Sequence, residues 1–374
     1  MLLGFGAYAQ TTVKGFVYND VNANGKLDKA EKGIAAVAVT NGSEVVLTND
    51  KGAYELPIGN DQIISVIKPA GYKVPLNADN LPQFFYNHKP NGSPALKYKG
   101  VAPTGALPKS VDFFLTAVKE DPNFTALIFG DPQPYTIDEV NYFDKGVVAE
   151  VAAIKDVAFG LSMGDLVGND PTLFAPYTKS VQKIGIPWYN LMGNHDINFD
   201  VKDDKMSDES YEAHFGPTDY AFNYGNVHFI VLDDILYPDP RGGKSYWGGL
   251  RTDQLAFVKN DLKFVPKDKL IELPVMEESQ MGMSLGMAMA GKFVVTFYPR
   301  WDFIICATNQ LINHVDKITL MSKNKWNPNM IIRLGKGSDK PLDPGHQHRG
   351  NYLNEFKSMC PNITFYDLKK WDLI

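Results

Sequence analysis

Three short apolar segments in the middle of the chain end in polar side chains of the kinds that bind divalent metal ions. The segments are FTALIFGDPQP, VAFGLSMGDLVGND and IPWYNLMGNHD. Their polar ends contribute carboxylate, amide and imidazole groups, from Asp131, Gln133, Asp165, Asn169, Asn194, His195 and Asp196. Hard oxygen atoms and imidazole nitrogens bind divalent ions, and a bound divalent ion can activate water for hydrolysis. These residue types favour metal-dependent hydrolysis.

The elements before and between these polar ends must bring them together. The apolar segments predict strands, whereas DEVNYFDKGVVAEVAAI and TLFAPYTKSVQKIG have the spacing of helices. A strand, helix, strand, helix, strand order predicts a largely parallel sheet and an α/β fold class. Ligands bind at the carboxyl edge of open α/β sheets, so we expect the polar ends to meet there.

The three blocks resemble those of the calcineurin-like metallophosphoesterases, which are D-x-H (D-x-Q in some branches), G-D-x-x-x-(N/D) and G-N-H-(D/E). The resemblance implies that Asp131 binds a first metal, Asp165 bridges both metals and Asn194 binds the second. It also implies a catalytic pair, His195 and Asp196, with His195 over the leaving group of a phosphate ester.

One residue departs from the main pattern of that family. Gln133 stands where a histidine is common, which weakens a donor to the first metal or leaves that position to water. The implied cofactors are two divalent ions, and the sequence does not distinguish Mn, Fe, Zn and Mg. The implied substrate is a phosphate mono- or diester.

A different metal loop is predicted ahead of these blocks. Residues 11–118 alternate between apolar and polar positions, with Asn-Gly and Asp-Lys-Gly turns, which predicts a small β-sandwich module. Within it, DVNANGKLDKAE places oxygen-bearing side chains at positions 1, 3, 5, 9 and 12 of an EF-hand-type loop: Asp20, Asn22, Asn24, Asp28 and Glu31. The loop resembles the calcium-stapled β modules of exported bacterial proteins. The alternative is an Asx-rich turn that binds nothing.

After PKDKLI, the residue pattern of the last quarter of the chain no longer resembles that of the calcineurin-like phosphoesterases. The segment from about 273 to 368 resembles the pyrimidine-binding domain of transketolase-like enzymes, most closely the β component of the 2-oxo acid dehydrogenases. That resemblance rests on Glu277, on the glycines at 282, 286 and 291, and on the Asn-Gln-x-x-Asn helix at 309–313. It implies that Glu277 protonates the aminopyrimidine ring of thiamine diphosphate. It also implies that two unrelated coding sequences are joined near Ile271.

A competing interpretation keeps the whole chain in one phosphoesterase. PGHQHRG contains His346 and His348 in the G-H-x-H pattern of a late metal-binding block. The segment before it is a polar, proline-containing loop, whereas the family pattern requires an apolar strand there. The family pattern also requires an earlier metal-binding histidine, and the candidate for it, His314, falls within a predicted helix. We expect the GHQH match to be a coincidence, but His346 and His348 remain candidate metal ligands.

The net charge, the apolar runs and the N-terminal segment limit the expected partners of the protein and the compartment in which it is expected. The 374-residue chain has a net charge of -6 without a basic block, so neither nucleic acid nor an anionic membrane is an expected partner. It has two cysteines, both late in the chain, and no apolar run of membrane-spanning length. MLLGFGAYAQ resembles the end of a signal peptide, with the small residues Ala7 and Ala9 before the cleavage point, which predicts export to the periplasm or the exterior.

The sequence therefore predicts four segments: a signal remnant at 1–10, the β module at 11–118, a phosphoesterase core at 119–271 and a transketolase-like segment at 272–374. His214 and His228 are interpreted as structural, and Asp233 and Asp234 as residues that hold a loop. The leading function is an exported phosphoesterase, impaired by a missing second half. The alternatives are a thiamine-dependent dehydrogenase fragment and an inactive binding module. Self-association through the C-terminal segment is also expected.

Overall fold

The computed structural model describes residues 11–243, 245–266, 276–336 and 345–367. The chain divides into two compact units, Met1–Val265 and Pro266–Ile374. The signal remnant at 1–10 and the junction near Ile271 lie outside the described residues. Helices and several sheets occur together, which confirms the predicted α/β fold class. In the described part of the chain, no helix is both long and apolar enough to cross a membrane.

The N-terminal module of the first unit contains two four-stranded sheets, ordered β4-β1-β8-β6 and β3-β2-β5-β7. Its strands are β1 (Thr12–Asn19), β2 (Ala38–Thr40), β3 (Val45–Leu47), β4 (Ala53–Pro57), β5 (Gln62–Val66), β6 (Tyr72–Lys73), β7 (Phe85–His88) and β8 (Phe113–Ala117). Neighbouring strands are antiparallel except β1 and β8. Side chains of β1 such as Val13 and Val17 are buried, as its alternating pattern requires.

A three-stranded parallel sheet follows, in the order β11-β10-β9. Its elements are β9 (Thr125–Phe129), α1 (Ile137–Phe143), α2 (Ala149–Val151), β10 (Val157–Met163), α3 (Phe174–Gln182) and β11 (Trp188–Leu191). Helix α1 begins with a capping box between Thr136 and Glu139, which satisfies backbone N–H groups at its first turn. The predicted strand and helix order is therefore confirmed.

The first unit continues after β11. This part comprises α4 (Glu209–Phe215), β12 (Tyr220–Tyr224), β13 (Val227–Val231), β14 (Ile235–Leu236), β15 (Trp247–Gly248) and α5 (Thr252–Asp261). Tyr189 of β11 stacks on Phe222 of β12 with ring centroids 4.1 Å apart, and Phe84 of the module packs against Tyr220. Because one apolar cluster includes residues from both sandwich sheets and from the parallel sheet, the module and the α/β core share a hydrophobic core.

The second unit has α6 (Glu277–Met289), β16 (Val294–Tyr298), α7 (Trp301–Ile304), α8 (Ile318–Met321), β17 (Met330–Leu334) and α9 (Leu353–Met359). Strands β16 and β17 are parallel, from Val294 opposite Met330 to Tyr298 opposite Leu334. A small core surrounds Trp301, which stacks on Phe356 with ring centroids 5.6 Å apart.

Candidate functional site

The loops that follow β9, β10 and β11 are joined by backbone hydrogen bonds. Gln133 N donates to Asp165 O at 2.8 Å, and Asn169 N donates to His195 O at 3.0 Å. The first bond ties the β9 loop to the β10 loop, and the second ties the β10 loop to the β11 loop. The polar ends of the three strands therefore meet at one edge of the parallel sheet, as ligand sites of open α/β sheets do.

Four non-glycine residues in these loops have left-handed backbones. They are Asp131 (φ 53°), Gln133 (φ 44°), Asp165 (φ 49°) and Asn169 (φ 68°). This region is disfavoured for residues with a Cβ, and surrounding structure must hold them in it. Such strain concentrates at functional sites because it fixes side chains in positions that a relaxed loop would not give. It occurs here at three of the predicted metal ligands, Asp131, Gln133 and Asp165, and at Asn169 in the second block.

A chain of hydrogen bonds links Asp165, His195 and Asn169. His195 N donates to Asp165 Oδ1 at 3.0 Å, and the ring Nδ1 lies 2.8 Å from Asn169 Oδ1. Because the amide oxygen only accepts, Nδ1 carries the proton and Nε2 remains for a second interaction. Burial raises the pKa of Asp165, while the hydrogen bond and the charge of His195 oppose that rise.

A glycine makes room for the Asp165 carboxylate. A Cβ on Gly193, the glycine of GNHD, would lie 2.3 Å from both Asp165 N and Asp165 Oδ1. No side chain can be accommodated at that distance without moving the backbone of the β10 loop. This glycine is thus required by the closeness of two loops, a requirement that the sequence pattern alone does not reveal.

Asp196 is placed differently from its neighbour His195. It is fully buried, and its carboxylate accepts backbone N–H groups of Leu166, Val167 and Gly193 at 2.9–3.1 Å. Burial raises its pKa to about 8, although the three N–H donors lower it. The side chain therefore braces the β10 loop against the β11 loop, and its buried position gives no support to the predicted catalytic contact with substrate.

The sequence interpretation missed two tyrosines at this edge. Tyr135 accepts a hydrogen bond from Gln133 Nε2 at 3.1 Å, and its ring lies edge-on to His195 with centroids 5.9 Å apart. Tyr98 Oη donates to Asn169 O at 3.4 Å. Tyr135 could have been suspected from its position two residues after Gln133. Tyr98 belongs to the N-terminal module, and no spacing signal connects it to the three blocks.

The ligand atoms at the three loops are of the type that binds a hard divalent ion, but they are too few to complete its coordination. Asp131, Asp165 and Asn194 offer oxygen donors, and no described residue donates to Asp165 Oδ2, which leaves that oxygen available to a cation. Yet nowhere among the described residues do three His, Cys, Asp or Glu side chains converge closely enough to hold a metal. An ion bound here would need Asn194, Gln133 or water to complete its ligands.

The other two candidate metal ligands, His346 and His348, belong to the second unit. They form a single 3₁₀ turn with Gln347, His346–His348, and Gly345 precedes this turn. The His348 ring lies 5.4 Å from that of Phe303, and its Nδ1 is buried without a hydrogen-bond partner in the described structure. A contact with an aromatic ring is typical of a packing role, and the predicted metal role remains a prediction.

The predicted calcium loop is held by its own side chains. The Asp20 carboxylate accepts the N–H groups of Asn24 and Gly25, and Glu31 accepts those of Val21 and Asp28. The amides of Asn22 and Asn24 both donate to Asp28 Oδ2, at 2.7 and 2.8 Å. The five predicted ligands are thus linked in one compact loop, with their carboxylates engaged by N–H donors.

Two further histidines have the structural surroundings that were predicted. His214 Nε2 lies 3.0 Å from Thr178 Oγ1, and burial lowers its pKa. His228 lies in β13 and its Nε2 is 2.6 Å from Asp261 Oδ2 of α5. Asp233 holds a loop, as predicted, because its Oδ1 accepts the Ile235 N–H at 2.9 Å.

In the second unit, Glu277 is the first residue of α6 and is partly buried. Its backbone carbonyl accepts a hydrogen bond from Tyr298 Oη at 3.1 Å, which fixes the start of α6 to the end of β16. The neighbouring Glu278 accepts from Asn309 Nδ2 at 2.7 Å, so the predicted Asn-Gln-x-x-Asn segment packs beside α6. The contacts orient Glu277 without assigning it a ligand.

Two comparisons with known proteins bear on these sites. Residues 21–99 match the family model described as the N terminal of calcineurin-like phosphoesterase. The match lies in the N-terminal module, ahead of the three loops. The chain is also 26% identical over 140 residues to the pyruvate dehydrogenase E1 component subunit beta of Cyanidium caldarium, which is 37% of this chain and 38% of that protein. The chain thus spans less than half the length of that relative. The first match relates residues 21–99 to a phosphoesterase family, and members of that family generally use divalent metals.

Proposed function

We propose that the first unit is a metal-dependent phosphoesterase that hydrolyses phosphate mono- or diesters. The observation that carries the proposal is the hydrogen-bonded chain of Asp165, His195 and Asn169 on left-handed loops at the edge of a parallel sheet. The match of residues 21–99 to the N-terminal phosphoesterase model supports the same class. The Ala7-Tyr8-Ala9 segment motivates a further proposal, that the enzyme is exported.

The candidate ligands divide between the three loops. Asp131 and Gln133 would hold one ion, Asn194 would hold another, and Asp165 would lie between them. When bound, such ions supply positive charge to the phosphoryl oxygens and a hydroxide that attacks phosphorus. The protein keeps Asp165 in place with the His195 N–H on Oδ1, so that Oδ2 can face a cation.

His195 is the group that can handle the leaving-group proton. Its Nδ1–H is directed to Asn169 Oδ1, which fixes the ring and leaves Nε2 as the exchangeable position. A protonated Nε2 can donate to the leaving oxygen as the bond to phosphorus breaks. Asp196 does not contact the substrate in this proposal. Its buried carboxylate holds together the two loops that carry Asp165 and His195.

Substitution of Asp165 tests this proposal. We expect Asp165→Asn to lower kcat/KM for nitrophenyl phosphate or bis-nitrophenyl phosphate by at least about a hundredfold, because a neutral amide cannot bridge two dications. The control is Asp138→Asn, an exposed aspartate of the first turn of α1, which should retain wild-type turnover. Assays are made on the full chain with added Mn²⁺ and again after chelation. Turnover that survives both the substitution and the chelator would overturn the proposal.

The N-terminal loop supports a proposal of its own, a structural calcium ion held by Asp20, Asn22, Asn24, Asp28 and Glu31. The clustering of these side chains in one loop favours it. Bound calcium would raise the unfolding temperature of the module, because a ligand that binds only the folded state stabilises it. An unfolding temperature that is identical in calcium and in chelator would contradict calcium binding.

The second unit supports a lesser candidate function, a fragment of a thiamine-diphosphate enzyme. The 26% identity to a pyruvate dehydrogenase subunit favours it, and Glu277 would contact the aminopyrimidine ring. Calorimetry of the full chain with thiamine diphosphate tests it, with Glu277→Gln as the variant that should lose binding. Absence of measurable heat with the wild-type chain would rule out this candidate.

A further inference from the structure

A loop of the N-terminal module, residues 93–101, reaches the candidate phosphoesterase site. The loop is closed at its base, since Ser93 N donates to Val101 O at 2.9 Å and Val101 N donates to Ser93 Oγ at 2.7 Å. A Cβ on Gly100 would lie 2.3 Å from Ser93 Oγ, so the two sides of the base touch. Compact loops whose ends are close together frequently carry function.

The base of this loop is fixed to the α/β core by a buried charge network. Ser93 Oγ donates to the Glu209 carboxylate, and Lys89 Nζ lies 2.7 Å from the same oxygen. Glu209 is fully buried at the start of α4. Moving the loop would therefore take the Ser93 hydroxyl away from a buried carboxylate, which is costly because a buried charged group would lose one of its hydrogen-bond donors.

The tip of the loop makes two contacts beside His195. Lys97 N donates to Asp200 Oδ2 at 2.7 Å, in the segment that follows GNHD. Tyr98 Oη donates to the carbonyl oxygen of Asn169, the residue whose side chain holds the His195 ring. Tyr98 is thus one residue removed from the group that we assign to the leaving-group proton.

Aromatic rings therefore flank the Asn169 and His195 pair. Tyr135 lies edge-on to the His195 ring and is half-exposed, and Tyr98 adjoins Asn169. Lys97 is exposed and holds its Nζ 4.5 Å from the centroid of the Tyr98 ring. The rim of the site thus offers two partly exposed rings and one cation that can pair with a negative charge.

We propose that Tyr98 and Tyr135 bind the leaving group, so that the preferred substrates are phosphate esters of flat aromatic or heteroaromatic groups. The inference rests on the proposed phosphoesterase function. Rings bind flat groups by burying apolar area and by offset or edge-on stacking, whereas a small aliphatic group offers little of either. Lys97 attracts the anionic ester to the rim. The N-terminal module would then determine specificity as well as stabilise the fold.

Hydrolysis of two esters by the full chain with Mn²⁺ tests the proposal. Phenyl phosphate and ethyl phosphate are compared by phosphate release in the wild-type protein, in Tyr98→Ala and in the control Tyr98→Phe. We expect the wild-type protein to prefer phenyl phosphate. Tyr98→Ala should raise KM for that ester about tenfold with little change in kcat, because the ring contact is equal in the ground and transition states. The KM for ethyl phosphate should rise much less than the KM for phenyl phosphate in Tyr98→Ala, and Tyr98→Phe, which keeps the ring, should retain the preference.

A binding measurement gives a readout that does not depend on turnover. Phenylphosphonate should bind the wild-type protein about tenfold more tightly than methylphosphonate does, and Tyr98→Ala should remove that difference. An unchanged preference in Tyr98→Ala, with the variant folded by circular dichroism, would overturn the leaving-group inference alone. A wild-type protein that hydrolyses neither of these monoesters nor bis-nitrophenyl phosphate would overturn the phosphoesterase proposal, and the inference with it.

Discussion

The two units contain parallel strands in very different surroundings. In the first unit, β9, β10 and β11 have α1 to α3 and the β12–β13 hairpin around them, and their loops are bonded to one another. In the second unit, β16 and β17 form a pair in which one set of alternate residues, Val295, Phe297 and Ile331, remains exposed. Parallel sheets normally have both faces covered.

This difference shows what a strand end needs before it can become a site. The Asp165 and His195 loops are fixed by N–H groups, by a buried brace and by a glycine that permits close approach. Residues 337–344, which follow β17 and precede GHQH, are not among the described residues. The exposed apolar residues of β16 and β17 are a reason to retain the expectation of self-association, which sedimentation of the full chain would test.

The largest expected effect is on the charge network that fixes the module to the core. Lys89 Nζ lies within 2.9 Å of Asp61, Glu209 and Glu212. Burial lowers the pKa of Lys89, but the carboxylates outweigh burial and hold it above its ordinary value. Lys89→Met should destabilise the first unit by about 3–5 kcal/mol, because Glu209 would remain buried without its cation.

Hydrogen exchange read by mass spectrometry can measure this loss in each unit separately. The control is Lys14→Met, because Lys14 pairs with Glu55 on the surface and such pairs contribute about 0–1 kcal/mol. Exchange should rise throughout the first unit of Lys89→Met and stay unchanged in the second. Equal exchange in Lys89→Met and Lys14→Met would show that the network does not hold the module.

A pH-dependent effect of intermediate size is expected in the first unit. Burial raises the pKa of Asp233 to about 7. Asp219 and Asp204 add to this rise, while the Ile235 N–H and Arg251 oppose it. The folded state therefore binds more protons than the unfolded state between about pH 4 and 7, so stability falls as pH rises through that window and then levels off.

Asp233→Asn should remove the contribution of Asp233 to this dependence and gain up to roughly 4 kcal/mol relative to wild type at pH 8 compared with pH 4. Other buried carboxylates, such as Asp196, should continue to titrate in both proteins. Urea unfolding at the two pH values measures the change. The matched control is the neighbouring exposed residue, Asp234→Asn, which should follow the wild-type curve. If Asp233→Asn and Asp234→Asn behave alike, Asp233 does not titrate in this window.

The smallest expected effect comes from the GHQH turn of the second unit. Replacement of His346 and His348 by alanine should leave Mn²⁺ affinity and phosphoesterase turnover within about twofold of wild type, because groups outside a coordination shell contribute little to binding. His195→Ala serves as the reference that should lose turnover. Loss of metal binding in the double variant would show that GHQH is a true ligand block and that the chain is one phosphoesterase.

Sequence patterns predicted the α/β class, the strand and helix order from β9 to β11, and the edge at which the polar ends meet. They could do so because hydrophobic periodicity and strand ends are local properties of the chain. They did not predict the burial of Asp196 or the need for glycine at 193, since both depend on how two loops approach each other.

The sequence by itself determined the types of ligand atoms at the three strand ends and the spacing of the oxygen-bearing side chains in the 20–31 loop. It also determined the change in residue pattern after PKDKLI. The tertiary structure alone decided that Tyr98, some 70 residues before Asn169, lies beside it. It also decided that Glu209, paired with Lys89, accepts the Ser93 hydroxyl at the base of the loop that carries Tyr98. Such contacts depend on the shared core of the module and the parallel sheet, and no local pattern encodes a contact between residues so far apart in the chain.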